Sequence, residues 1–251
     1  MNDDHSAART IAARLPDLAR WVEVRDLALN GPADVLGLAT EPELCFVLRD
    51  PEGATVFLVG PLDETLRDTA LAAILADRAD VVAPPALGPW LARCLPTWAA
   101  SRLIVHTLAD LDRLTSAPSE IVRWNTLEEL RDCALPSELR AELEAGAAEA
   151  ELAVAWVDGR PVSFCYAGSQ TETWWDIAID TLAEYRRRGY AAACAAALTR
   201  RMWAAGKRPV WQALDSNPAS WRLAERLGFA ASDALVMFEA PSRDDHPQAP
   251  A

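Results

Sequence analysis

Cysteine and histidine are scarce in this chain, and neither is arranged for chemistry. The five cysteines (Cys45, Cys94, Cys133, Cys165 and Cys194) are scattered, odd in number and free of any C-x-x-C pair. That pattern argues against a disulfide framework or a thiolate zinc site, and leaves reduced, mostly buried thiols as the expectation. His5, His106 and His246 are too dispersed to gather round a metal, so no metal site is expected. Positive charge is also short: 24 Lys and Arg stand against 37 Asp and Glu, a net charge of −13. A nucleic-acid partner would have to overcome that repulsion, and none is expected. The acidity would attract cationic substrates such as amines, although solubility is the commoner reason for it. No stretch approaches a membrane span, and the opening "MNDDHSAART" lacks the apolar core of a signal peptide. A soluble, cytoplasmic protein with no membrane partner is the expectation, as a monomer or homodimer.

What is present is a chain of 251 residues, 51% hydrophobic. It can bury a core, and its length sits between one large domain and two small ones. Helical spacing of Ile11, Leu15, Leu18 and Trp21–Val22 predicts one helix over 8–28. "ELCFVLRDPEGATVFLVG" (43–60) reads as a hairpin turned at Asp50-Pro51-Glu52-Gly53. A helix over 63–77, a short strand, a Pro-broken helix and a strand over 101–108 follow. "TSAPSE" (115–120) is the expected linker, dividing an N-terminal α/β domain (1–116) from a C-terminal one (117–240). Beyond it come a helical stretch interrupted at Pro136, a hairpin turned by Asp158-Gly159 and the strand "TETWWDIAID". A helix over 186–205, a stop at Gly206, the strand "RPVWQAL", a helix from Pro218 to Leu227 and a strand over 232–239 complete the series. The tail 241–251 is expected to be disordered.

One stretch stands out. "YRRRGYAAACAAALTRRMW" (185–203) sets three arginines against one glycine and a run of alanines, just after a strand. A helix start there would gather free backbone N–H groups at the positive end of the dipole, a ready anion site. Gly189 allows close approach to the backbone, Ala191, Ala192 and Ala193 keep the first turns slim, and Arg186, Arg187 and Arg188 add charge. A diphosphate would fit. The plainer alternative is a solvated arginine face on an Ala-rich helix, but cations at a helix start oppose the dipole. The glycine patterns of other phosphate loops are absent.

A second segment, "NPASWRLAERLGF" (217–229), begins 28 residues beyond Gly189. With "RRRGYA" (186–191) it resembles the coenzyme A motif of the GCN5-related N-acetyltransferase (GNAT) superfamily in order, spacing and strand–helix context. The resemblance implies a mixed α/β fold whose sheet splays beside the loop, flanked by helices. It implies acetyl-CoA as the cofactor, its pantetheine arm along Ile179, Asp180, Thr181 and Leu182. Its diphosphate would lie on Arg186, Arg187, Arg188, Gly189, Tyr190 and Ala191, with Asn217 also contacting the cofactor. Asn217 reads equally as a helix N-cap before Pro218, and Gly228-Phe229 as helix stop and core anchor.

Many members of the superfamily carry a tyrosine seven residues after that asparagine as a general acid. Here the position is Ala224. Ser220 is the nearest substitute, with Ser216, Cys194 and Tyr185 more remote. For the base, the strand offers Glu172, Asp176 and Asp180, and alternation puts the two aspartates on one side. A structural hydrogen bond is the commoner reason for a strand aspartate. Asp176, nearer mid-strand, is the first candidate, and Glu172 acting through water the second.

The N-terminal half carries no phosphate motif and reads as a degenerate copy of the same fold, by analogy alone. The expected function is acetyl-CoA-dependent N-acetyl transfer to a primary amine of a small molecule or peptide, by direct attack in a ternary complex. The alternative from another class is a non-catalytic acyl-CoA-binding sensor or interaction module.

Overall fold

The computed structural model describes residues 2–52, 54–114, 120–147 and 150–241. Most of the expected linker and all but the first residue of the tail lie outside these. The chain opens with helix α1 (Asn2–Arg14) and helix α2 (Val22–Asn30). The single helix expected over 8–28 is therefore two, because Pro16 lacks the N–H needed to continue the ladder. Strand β1 (Asp34–Ala39) pairs with β2 (Cys45–Asp50), which forms the anticipated hairpin with β3 (Thr55–Val59). Phe46, Val47 and Leu48 are fully buried, as expected of a strand covered on both faces. Helix α3 (Glu64–Asp77) crosses to β4 (Asp80–Ala83), parallel to β3. Helix α4 (Gly88–Cys94) and strand β5 (Ala99–Thr107) follow.

The later elements are β6 (Val122–Asn125), α5 (Ser137–Gly146), β7 (Leu152–Val157), β8 (Arg160–Gln170) and β9 (Trp174–Thr181). Then come α6 (Tyr190–Ala204), β10 (Arg208–Leu214), α7 (Pro218–Arg226) and β11 (Ala230–Glu239). Asp158 and Gly159, at φ of 49° and 77°, supply the paired left-handed residues of the β7–β8 turn.

Among the described residues all strands join one 11-stranded sheet in the order β1-β2-β3-β4-β11-β5-β10-β9-β8-β7-β6. The order is nearly palindromic. The unit β3-α3-β4 is matched by β9-α6-β10, each a parallel pair joined by a helix. The two halves also trade their last strands. β5 lies beside β10, β11 lies beside β4, and the two pair antiparallel from Ala230↔Thr107 to Glu239↔Ala99. The N-terminal half is thus a second copy of the α/β topology, built into the same sheet.

A further connection crosses the molecule. Asp17, between α1 and α2, accepts from Thr171 Oγ1 at 2.7 Å and from the Thr173 backbone N–H at 3.0 Å. Arg25 of α2 donates to both carboxylate oxygens of Glu172, through Nε at 2.8 Å and Nη2 at 2.7 Å. These contacts clamp α2 to the β8–β9 turn. On the opposite face α6 is set close to the sheet by its small side chains: Ala193, Cys194, Ala195 and Ala196 are buried against Trp175, Ile177 and Trp211.

Candidate functional site

β9 and β10 pair only from Arg208↔Trp174 to Val210↔Asp176 and then part. Beyond that point a cleft of about 1030 Å³ opens between them. Ile179, Asp180 and Thr181 form one wall, Trp211 and the start of α7 the other, and the start of α6 lies across its mouth. The local sequence dictates this mouth. Arg187 (φ 61°) and Gly189 (φ 88°) both take left-handed backbone, and α6 begins at Tyr190 with no side-chain cap. Its leading N–H groups therefore lack intrahelical partners at the positive end of the dipole. A Cβ built on Gly189 would meet no protein atom within 4 Å, so the space beside this backbone is open.

The expected residues divide cleanly. Ile179, Asp180, Thr181, Arg186, Arg187, Gly189, Tyr190, Ala191, Asn217 and Ser220 all line this cleft. Leu182 does not: its N–H is taken by the Val162 carbonyl at 3.0 Å and its side chain is buried. Arg188 turns aside, its guanidinium 5.4 Å from the Tyr185 ring centre, which Arg160 covers at 5.7 Å. The three arginines precede α6 rather than begin it, so they do not oppose its dipole from within. Arg186 is held by the Thr181 carbonyl through Nε at 3.0 Å. Ala193 packs on the sheet rather than at the cleft. Arg222 and Arg226 of α7 also line the cleft and were missed. Their spacing of four on a helix is the signal that would have found them.

Asn217 serves as the N-cap of α7, its Oδ1 accepting from the Ser220 N–H at 3.2 Å. Ser220 Oγ in turn accepts from Trp211 Nε1 at 2.9 Å, which leaves its own O–H to donate. Ala224 is fully buried. Burial pushes the Cys194 thiol up to about 12, which removes it as a ready acid.

The carboxylates occupy different settings. Glu172 lies before β9, at the end away from the cleft. The Arg25 guanidinium bonded to it lowers its carboxyl to about 2. It forms an ion pair with Arg25, which leaves it a weak base. Asp176 stands where the strands part, and burial, then the charge of Glu23, raises it well above the usual carboxylate range. Glu23 of α2 is raised to about 7, by burial first and Asp50 second. On α5, Glu142 is raised to about 7 by burial and by its hydrogen bond to Asp180. Neither Glu23 nor Glu142 was legible as a site residue, because nothing in a helical pattern says which strand it will face.

Residues 153–238 match the family model for GNAT acetyltransferase. This segment is similar to GNAT acetyltransferases. The match spans every residue that lines the cleft. Among solved structures, the chain is similar to a GCN5-related N-acetyltransferase-like protein from Streptococcus suis, at 18% identity and a TM-score of 0.65. That alignment covers 95% of this chain and 99% of the other. A GCN5-related N-acetyltransferase from Kribbella flavida aligns at 17% identity over 94% and 96% of the two chains, with a TM-score of 0.60. A tandem GNAT protein from the clavulanic acid biosynthesis pathway aligns at 14% identity over 97% of each chain, with a TM-score of 0.53. Comparison with curated protein sequences finds no match. These similarities show that the GNAT fold extends over nearly the whole chain. Among the described residues no helix is long and apolar enough to cross a membrane.

Proposed function

We propose that this protein transfers an acetyl group from acetyl-CoA to a primary amine of a small molecule, by direct attack within a ternary complex. The observation that carries this reading is the uncapped start of α6, with Gly189 at φ 88°, opening on the gap between β9 and β10. The residues fit a diphosphate. Backbone N–H groups at the start of α6 would hold it, and Arg186, Arg187 and Arg222 would balance its charge. The edges of Ile179 to Thr181, freed from pairing with β10, would receive an extended amide-bearing arm. Acetyl-CoA, when bound, supplies the activated thioester carbonyl.

The chain's own part is positioning and proton transfer. Asp176 accepts the proton of the attacking ammonium, a role suited to a buried carboxylate with raised basicity. Ser220, whose oxygen accepts from Trp211, keeps its hydroxyl proton free and would donate it to a departing thiolate. Free N–H groups on the parted edge of β9 would stabilise negative charge on a bound carbonyl oxygen. The boundary near residue 116 is proposed as a division of the sequence, with the N-terminal copy lending α2 to the acceptor side.

Thiol release from acetyl-CoA by the whole chain, with and without primary amines, tests the reading. Amine-dependent release is expected. Tight acetyl-CoA binding with release that no amine accelerates would favour a non-catalytic acyl-CoA sensor, the reading to which the buried Ala224 lends weight.

A further inference from the structure

The face of the sheet opposite α6 carries polar groups that the cleft does not use. Trp175 and Trp211 pack into the core beneath α6, so strand alternation turns their neighbours Asp176 and Gln212 to the other face. There α2 covers the point where the strands part, with Val22 packed against Val210 and Trp174. Glu23, the next residue, brings its carboxyl near enough for its charge to act on Asp176. The clamp of Asp17 and Arg25 on the β8–β9 turn fixes α2 in this position.

Three atoms of this cluster are buried with no hydrogen-bond partner: Asp176 Oδ1, Gln212 Oε1 and Gln212 Nε2. Buried polar groups are rarely left unpaired in a native protein, and three in one place call for an occupant. Their chemistry describes it. Two acidic side chains and an amide oxygen accept hydrogen bonds, while Nε2 donates one. Neighbouring buried carboxyls do not both ionise readily, so the pair carries about one negative charge. The matching occupant has one positive charge, several N–H donors and one oxygen acceptor.

We propose that Glu23, Asp176 and Gln212 seat the acceptor, a primary ammonium with a hydroxyl or carbonyl oxygen on a neighbouring carbon. This rests on the acetyl-transfer reading and names its substrate class. The ammonium donates to Glu23, Asp176 and Gln212 Oε1, and its neighbouring oxygen accepts from Gln212 Nε2. On deprotonation one N–H bond breaks and an O–H bond forms on Asp176. The lone pair so released on nitrogen faces the gap between β9 and β10. Glu23 belongs to the N-terminal copy, so that copy completes the acceptor side.

Saturation-transfer NMR on the whole chain, with ethanolamine as probe and ethylamine as comparison, tests this directly. Ethanolamine should receive saturation from the wild-type protein and ethylamine distinctly less. Glu23→Leu, which removes the acceptor oxygens, should abolish the transfer, and Gln212→Leu should erase the preference for ethanolamine. Acetyl-CoA affinity should stay unchanged in both variants, which also shows that they are folded. No transfer to ethanolamine in the wild type, or transfer that survives Glu23→Leu, overturns the seat. Failure of the acetyl-transfer reading shows separately, as absent acetyl-CoA binding or as thiol release that no amine accelerates.

Discussion

Asp63 holds in α3 the place that Gly189 holds in α6: each is the N-cap of the helix joining a parallel strand pair. The consequences are opposite. Asp63 places its own carboxylate on the Leu66 N–H at 2.9 Å, so the start of α3 already holds an anion. Gly189 offers no side chain, and the start of α6 stays open. The capping residue is thus one difference that closes the start of α3 and leaves that of α6 open.

Asp63→Ala should therefore act on stability alone. Losing the cap should cost about 1 kcal/mol, read as a lower midpoint in urea. Acetyl-CoA titration should still show a single site, since the N-terminal loop has no arginines to complete a second.

Replacing the proposed proton acceptor should separate turnover from binding. Asp176→Asn should lower kcat by roughly 100-fold with acetyl-CoA affinity spared. Ser220→Ala should lower kcat by about tenfold or less, a hydroxyl being a weak acid. Steady-state kinetics alongside calorimetry on each variant check both, and unchanged turnover of Asp176→Asn across pH would remove it as the base.

The raised carboxyls predict an unusual pH dependence of stability. Glu23 moves from 4.5 to about 7 in the folded state, so between those values the native protein binds a proton that the unfolded chain does not. Stability is then full below about 4.5 and falls as pH rises through about 7. Glu142 acts in the same direction. Glu23→Gln should flatten part of this fall and raise the Tm at pH 8 by a few degrees. A Tm profile from pH 5 to 8 for both proteins reads the effect.

The end of α7 offers a packing test. Gly228 sits at φ 98°, and a Cβ there would lie 2.1 Å from the Arg113 carbonyl oxygen. Gly228→Ala should destabilise by more than about 2 kcal/mol, through strain and through displacement of that backbone. Thermal unfolding checks the loss.

What the sequence revealed was what is local. The Asp158-Gly159 turn, the Asn217 cap and the glycine before α6 are each decided by a few adjacent residues, and each was legible. Alternation also placed Asp176 and Asp180 on one face correctly. Where a local signal was outweighed, the reading failed: helical spacing from Ile11 to Val22 hid the break at Pro16. β1 and β6 went unseen because "DVLGLA" and "VRWN" are short and lack clear alternation. The exchange of β5 and β11 depends on pairing between residues more than a hundred positions apart, which no window of sequence contains. The pairing of Arg25 with Glu172 and the approach of Glu23 to Asp176 were hidden for the same reason.

The central claim is that the open start of α6 holds acetyl-CoA. Calorimetric titration of the purified chain with acetyl-CoA, beside Gly189→Asp, tests it most directly. The account predicts micromolar binding at one site. It also predicts a loss of at least about 100-fold, roughly 2.7 kcal/mol, when a carboxylate is placed where Asp63 stands in the other copy. No binding to the folded wild type, or equal binding by Gly189→Asp, would contradict the account.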